Sequence, residues 1–119
     1  MTVKELITKA IILLGYNDDL GNTSDARFQF ASKTAFNTVY SDIFYCLKDE
    51  EYKELSPSDK IPLPDRVVYN VMQYGVAAFI AESLGDADKQ QYFMNVYNKR
   101  RASLSHYEDM VDDIPYPDY

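Results

Sequence analysis

The sequence predicts an all-α fold: a small bundle of about four helices, with a long loop or a short β-ribbon between helices two and three. Apolar residues recur at spacings of three and four in four segments, as on the buried side of a helix. Glycine, proline, asparagine and aspartate interrupt the chain between these segments. At 119 residues the chain is close to the commonest domain size. We therefore expect one helical domain over residues 1–111 and a flexible acidic and aromatic tail over residues 112–119.

The first helix has a clear start and a clear end. Thr2 and Glu5 form the Thr-x-x-Glu pattern of a capping box. Gly15 ends the helix, as glycine does at helix C-termini. One apolar stripe lies between them: Leu6, Ile7, Ala10, Ile11 and Leu14.

The second helix is expected to run from Ser24 or Asp25 to about Leu47, with apolar residues facing two directions. One face carries Phe28, Ala31, Ala35, Val39, Ile43 and Cys46, and a second strip carries Phe36, Tyr40 and Phe44. This helix is therefore expected to contact two neighbours.

Residues 48–63, "KDEEYKELSPSDKIPL", are too long for a simple connector and predict a functional loop. "YKEL" and "KIPL" flank a turn-rich "SPSD", so the segment forms either a short two-stranded ribbon or an ordered extended loop. Pro62 and Pro64 keep the chain extended up to the third helix.

The third helix, from Pro64 or Asp65 to Leu84, is apolar almost all round and is therefore the expected core helix. Small residues concentrate in it, so neighbouring backbones can approach closely: Gly75, Ala77, Ala78 and Ala81. The turn Leu84-Gly85-Asp86 ends it and caps a fourth helix, and so short a turn implies an antiparallel hairpin. The fourth helix carries one apolar stripe: Phe93, Val96, Tyr97, Leu104, Tyr107 and Val111.

The sequence contains no pattern that predicts an enzyme, a cofactor or a metal site. The only histidine, His106, has no second histidine or cysteine pair with it, and no glycine motif suited to phosphate is present. The single cysteine, Cys46, suits a reducing compartment. A net charge of −7 disfavours nonspecific binding to nucleic acid. No apolar run approaches the length of a membrane span, so we expect no membrane partner.

The C-terminal half, "IPLPDRVVYNVMQYGVAAFIAESLGDADKQQYFMNVYNKRRASL", resembles small head-tail connector proteins, also called adaptor or head-completion proteins, of long-tailed bacteriophages and prophages. A Leu-Pro motif, here Leu63-Pro64, opens a core helix that ends at Gly-Asp, here Gly85-Asp86. The next helix carries aromatic residues, here Phe93 and Tyr97, followed by basic ones.

The resemblance implies a structural virion protein at the head-tail junction, present in the bacterial cytoplasm during assembly. Its expected partners are the portal protein, the next connector or tail-completion protein, and further copies of itself in a ring, expected to be twelve-fold, with a subunit that is monomeric in isolation. Loop 48–63 and tail 112–119 are the expected contact elements. The candidate contact residues are Tyr52, Leu55, Ile61, Ile114, Tyr116 and Tyr119.

A second hypothesis is a small acidic regulatory or host-takeover binding protein, acting as a protein-interaction module or a DNA mimic. A mimic needs carboxylates spaced along one face like phosphates. Here the acidic residues cluster in loops and in the tail, which favours the connector hypothesis.

Overall fold

The computed structural model describes residues 1–15, 26–47 and 54–113; the side chains of residues 26–27, 45–47 and 105–113 are not described. Four helices account for most of this part of the chain, which confirms the all-α prediction. Helix α1 is Val3–Leu13, α2 is Ala26–Leu47 and α4 is Ala87–Asp113. Helix α3 is continuous over residues 65–83, with a wider π-helical turn, Val68–Met72, between Asp65–Val67 and Gln73–Ser83.

The helix ends have the local chemistry that the sequence predicts. The Thr2 hydroxyl accepts a hydrogen bond from the Glu5 backbone N–H at 3.2 Å, and the Glu5 carboxylate accepts one from the Thr2 N–H at 2.9 Å. This reciprocal capping box lowers the pKa of Glu5. Gly85 adopts a φ of 76°, where a side chain would be strained. Asp86 then caps α4 by accepting from the Lys89 N–H at 3.3 Å.

Helix α3 is the centre of the bundle, in contact with α1, α2 and α4. Its buried residues point to several sides and are Val67, Val68, Val71, Met72, Gly75, Val76, Ala77, Ala78, Ile80 and Ala81. The prediction of a core helix surrounded by the other three is confirmed. Helix α4 packs most extensively on it and completes the predicted hairpin.

Helix α2 buries the middle of its first predicted apolar strip and the whole of the second, while Phe28 and Ala31 are half-buried and the side chain of Cys46 is not described. Ala35, Val39 and Ile43 lie in the core from one strip. The aromatic residues of the other strip stack along the helix, with ring centroids 5.5 Å apart between Phe36 and Tyr40 and again between Tyr40 and Phe44. Two buried strips place α2 against more than one neighbour, as expected.

The segment before α3 pairs with the N-terminus. Lys60 forms an isolated antiparallel bridge with Thr2, the Ile61 N–H donates to the Met1 carbonyl at 3.0 Å, and the Val3 N–H donates to the Asp59 carbonyl at 3.1 Å. Over residues 54–63 the structure has no ribbon of the segment with itself, and the ordered extended alternative holds there. Residues 48–53, which include the first half of "YKEL", lie outside the described residues.

Ser32 is a polar exception in the core and gives a first prediction. It is 3% exposed, and its hydroxyl has no hydrogen-bond partner among the described residues. An unsatisfied buried hydroxyl destabilises the native state, and alanine is also the better helix former, so we expect Ser32→Ala to raise the free energy of unfolding by about 1 kcal/mol. Urea unfolding measures it. The exposed Ser83→Ala is the matched control and should change stability by no more than about 0.5 kcal/mol, the helix-propensity difference alone. A loss of stability in Ser32→Ala would contradict the assignment.

Candidate functional site

An open groove of about 440 Å³ lies between the start of α3 and the second half of α4. We call it the arginine groove; its lining residues are Arg66, Asn70, Val71, Arg100, Ser103 and Leu104. Val71 is buried and Leu104 half-buried, so apolar surface forms the floor, while the exposed polar residues form the rim. Two guanidinium groups in one groove make a local cationic site on a chain whose net charge is −7.

The π-helical turn shapes one wall of this groove. Such a turn interrupts the regular α-helical hydrogen bonding and often occurs at functional positions. Here Arg100 on α4 donates from Nη1 to the Asn70 carbonyl oxygen, within the π turn, at 3.0 Å. The same guanidinium lies over the Tyr74 ring, 4.6 Å from its centroid, in cation–π geometry. Arg100 is thereby held in place beside the groove.

A charged cluster lies one helical position further along α4 and ties this helix to α2. Arg101 donates to both carboxylate oxygens of Asp42, from Nη2 to Oδ1 at 2.8 Å and from Nε to Oδ2. The Tyr97 hydroxyl donates to Asp42 Oδ2 at 2.7 Å. Burial raises the pKa of Asp42, but the hydrogen bonds from Arg101 and Tyr97 outweigh it, and the pKa lies below its ordinary value. This cluster fixes the α2–α4 pairing next to the groove.

The structure describes two of the six candidate contact residues from the sequence. Tyr52, Ile114, Tyr116 and Tyr119 lie outside the described residues. Leu55 is half-buried and packs against the core. Ile61 is only 6% exposed and its side chain belongs to the core, while its role as a partner contact stays a prediction.

Sequence reasoning missed several exposed apolar side chains. Phe30 is 73% exposed and Tyr92 is 63% exposed; the others are Ile12, Tyr69 and Leu84. Phe30 belongs to neither apolar strip of α2, and its position outside both strips could have indicated that it is exposed. Tyr69 lies 6.0 Å, centroid to Nζ, from Lys9 of α1.

The described residues contain no group of three or more histidine, cysteine, aspartate and glutamate side chains placed to hold a metal ion. Across that same part of the chain, every helix is too short or too polar to cross a membrane. Comparison with protein-family models, with curated proteins and with solved structures gives no match. The fold and the surface described above are therefore the basis for assigning a function.

Proposed function

We propose that this protein is a structural subunit of the head-tail connector type, which joins a bacteriophage portal to the next connector or tail component. The observation that carries the proposal is that the core helix begins and ends at the proline and glycine motifs found in the sequence. Helix α3 begins directly after Leu63-Pro64, the chain leaves it through Gly85, and Asp86 caps α4. These are the places where the resemblance to connector proteins requires the breaks.

The extended segment over residues 54–63 supports the same proposal. Three backbone hydrogen bonds attach it to the N-terminus: the carbonyls of residues 57 and 59 accept from residues 4 and 3, and the N–H of residue 61 donates to residue 1. Residues 56–60 are exposed, so they form a surface that is already ordered. A preordered contact segment loses less conformational entropy on binding than a loop that must first be fixed.

The distribution of burial favours an assembly role over a catalytic one. The aromatic and aliphatic side chains that α3 and α2 supply are used in the core, while single apolar residues such as Phe30 and Tyr92 remain on the surface. Exposed aromatic residues are typical of protein interfaces. The negative net charge suits a channel through which DNA slides, because it repels phosphates.

Electron microscopy of the protein mixed with the portal protein encoded in the same genome tests the proposal. We expect an added ring of density on the portal. Lys60→Glu, in the exposed segment, should reduce the occupancy of this ring, whereas the matched charge reversal Lys99→Glu, at an exposed position on α4, should leave it unchanged. A portal that stays bare at saturating concentrations of the wild-type protein would contradict the proposal. Micromolar binding to double-stranded DNA at low salt would also contradict it, because a channel through which DNA slides must not hold the DNA.

A further inference from the structure

We propose that the arginine groove is a docking site for the acidic C-terminal segment of the same chain, residues 114–119, "IPYPDY". This intramolecular contact goes beyond the proposed connector function and does not depend on it. The segment itself lies outside the described residues. The groove, the point where α4 ends and the chemistry of the six residues support the contact.

The chemistry of the groove matches the chemistry of the segment. Arg66 and Arg100 present guanidinium groups, which pair with carboxylates through several N–H donors at once. A guanidinium has five such donors, and the hydrogen bond from Arg100 to the Asn70 carbonyl uses one of them. The apolar floor of Val71 and Leu104 suits an aliphatic, proline or aromatic side chain. Asp118, flanked by Pro117 and Tyr119, combines the required acid with apolar neighbours.

The segment is also long enough to reach the groove. From Leu104 to the end of α4 at Asp113, the helix rises by roughly 14 Å. An extended chain spans at most roughly 3.3–3.6 Å per residue, so the five residues from Asp113 to Asp118 span at most roughly 16–18 Å, which is enough only if the segment turns back directly after Asp113. Asp118 then arrives level with Leu104, where Arg66 and Ser103 also line the groove.

The weakness of the individual contacts favours the chain's own segment over that of a second copy. Arg66, Arg100 and Ser103 are exposed, and ion pairs between exposed groups are individually weak. A separate molecule would fill such a site only at high concentration. A segment attached through a short connection has an effective concentration of about millimolar at any protein concentration.

Disulfide trapping tests the contact in the full-length protein. In a Cys46→Ala background, Ser103→Cys is combined with Pro117→Cys, and the control combines Pro117→Cys with Ala102→Cys, an exposed neighbouring position on α4 that does not line the groove. Under mild oxidation in dilute solution, we expect the Ser103→Cys pair to close an intramolecular disulfide at least about tenfold faster than the control pair. Adding Arg66→Gln or high salt should remove most of this advantage.

Equal closure rates for the two pairs would overturn the proposal, and disulfide-linked dimers would overturn it in favour of a second copy. Amide hydrogen exchange gives a test without cysteine variants. Asp118→Lys should speed exchange in residues 66–72 several-fold relative to wild type, whereas Asp88→Lys, on the first turn of α4, should not. Unchanged exchange in Asp118→Lys would also overturn it. None of these measurements uses a portal, so their failure is distinguishable from failure of the connector proposal.

Discussion

Replacing Gly75 with alanine is expected to lower the free energy of unfolding by about 2 kcal/mol, although alanine is the better helix former by about 1 kcal/mol. A Cβ atom at this position would lie 2.7 Å from two ring carbons of Tyr97 and 2.9 Å from Cγ2 of Val39. Both distances are shorter than real Cβ contacts. The Tyr97 ring cannot easily move away because its hydroxyl is bound to Asp42. The new methyl group therefore forces α3 away from α2 and α4.

Urea unfolding of a double-mutant cycle tests this mechanism. Val39→Ala removes one of the clashing groups, so the double variant should be less destabilised than the sum of the two single variants. Gly85→Ala is the control, because a Cβ there meets nothing within 4 Å and the cost, about 1–2 kcal/mol, comes only from its φ of 76°. Gly85→Ala should therefore show no coupling to Val39→Ala. Wild-type stability in Gly75→Ala would mean that the helices are not in close contact at this point.

Gly75 also illustrates what the sequence could predict about the fold. A glycine among alanines inside an apolar helix indicates close packing, and the structure shows such packing, made by the side chains of Tyr97 and Val39 rather than by a neighbouring backbone. Helix limits were predictable for the same kind of reason: the Thr2–Glu5 box and the Gly85-Asp86 break act within a few residues of the helix end they determine. Local chemistry of this kind can be read without knowing the tertiary structure.

Features that depend on distant parts of the chain could not be predicted. The extended segment before α3 pairs with Thr2 and Met1, nearly sixty residues away, and nothing in "KIPL" specifies that partner. The π turn at Val68–Met72 has the same apolar pattern as a regular helix. That this turn forms one wall of the groove becomes evident only from the tertiary structure, in which Arg100 donates a hydrogen bond to the Asn70 carbonyl oxygen.

The arginine groove was hidden for a related reason. Arg100 belongs to the basic residues of the fourth helix, but Arg66 lies on another helix, and no local motif joins the two. Ile61 could not be recognised as a core residue for the same reason, because its place in the core becomes evident only with the pairing between its segment and the N-terminus. Loop residues of this kind need the tertiary contacts to be assigned.

Asp42→Asn is expected to lower the free energy of unfolding by about 1–2 kcal/mol at neutral pH. The carboxylate accepts hydrogen bonds from Arg101 and Tyr97, and the substitution removes its charge while nearly keeping its shape. Hydrogen bonds to charged groups are the stronger kind, but solvent screens this cluster, since both side chains of the ion pair are more than one third exposed. Asp88→Asn, at an exposed acidic position on α4, is the matched control and should change stability by no more than about 0.5 kcal/mol.

The same variant should change the acid dependence of stability. The pKa of Asp42 is lower in the folded protein than its ordinary value of 3.8, so the folded state stabilises the ionised form. This contribution is present above the unfolded pKa and is lost as the pH falls through the folded pKa. Urea unfolding from pH 7 down to acid should therefore show a smaller loss of stability in Asp42→Asn than in wild type, with the two curves converging below pH 3.8. Some acid dependence should remain, because Glu5 has a lowered pKa as well. Parallel curves over the whole range would show that the Asp42 carboxylate is not held by Arg101 and Tyr97 in solution.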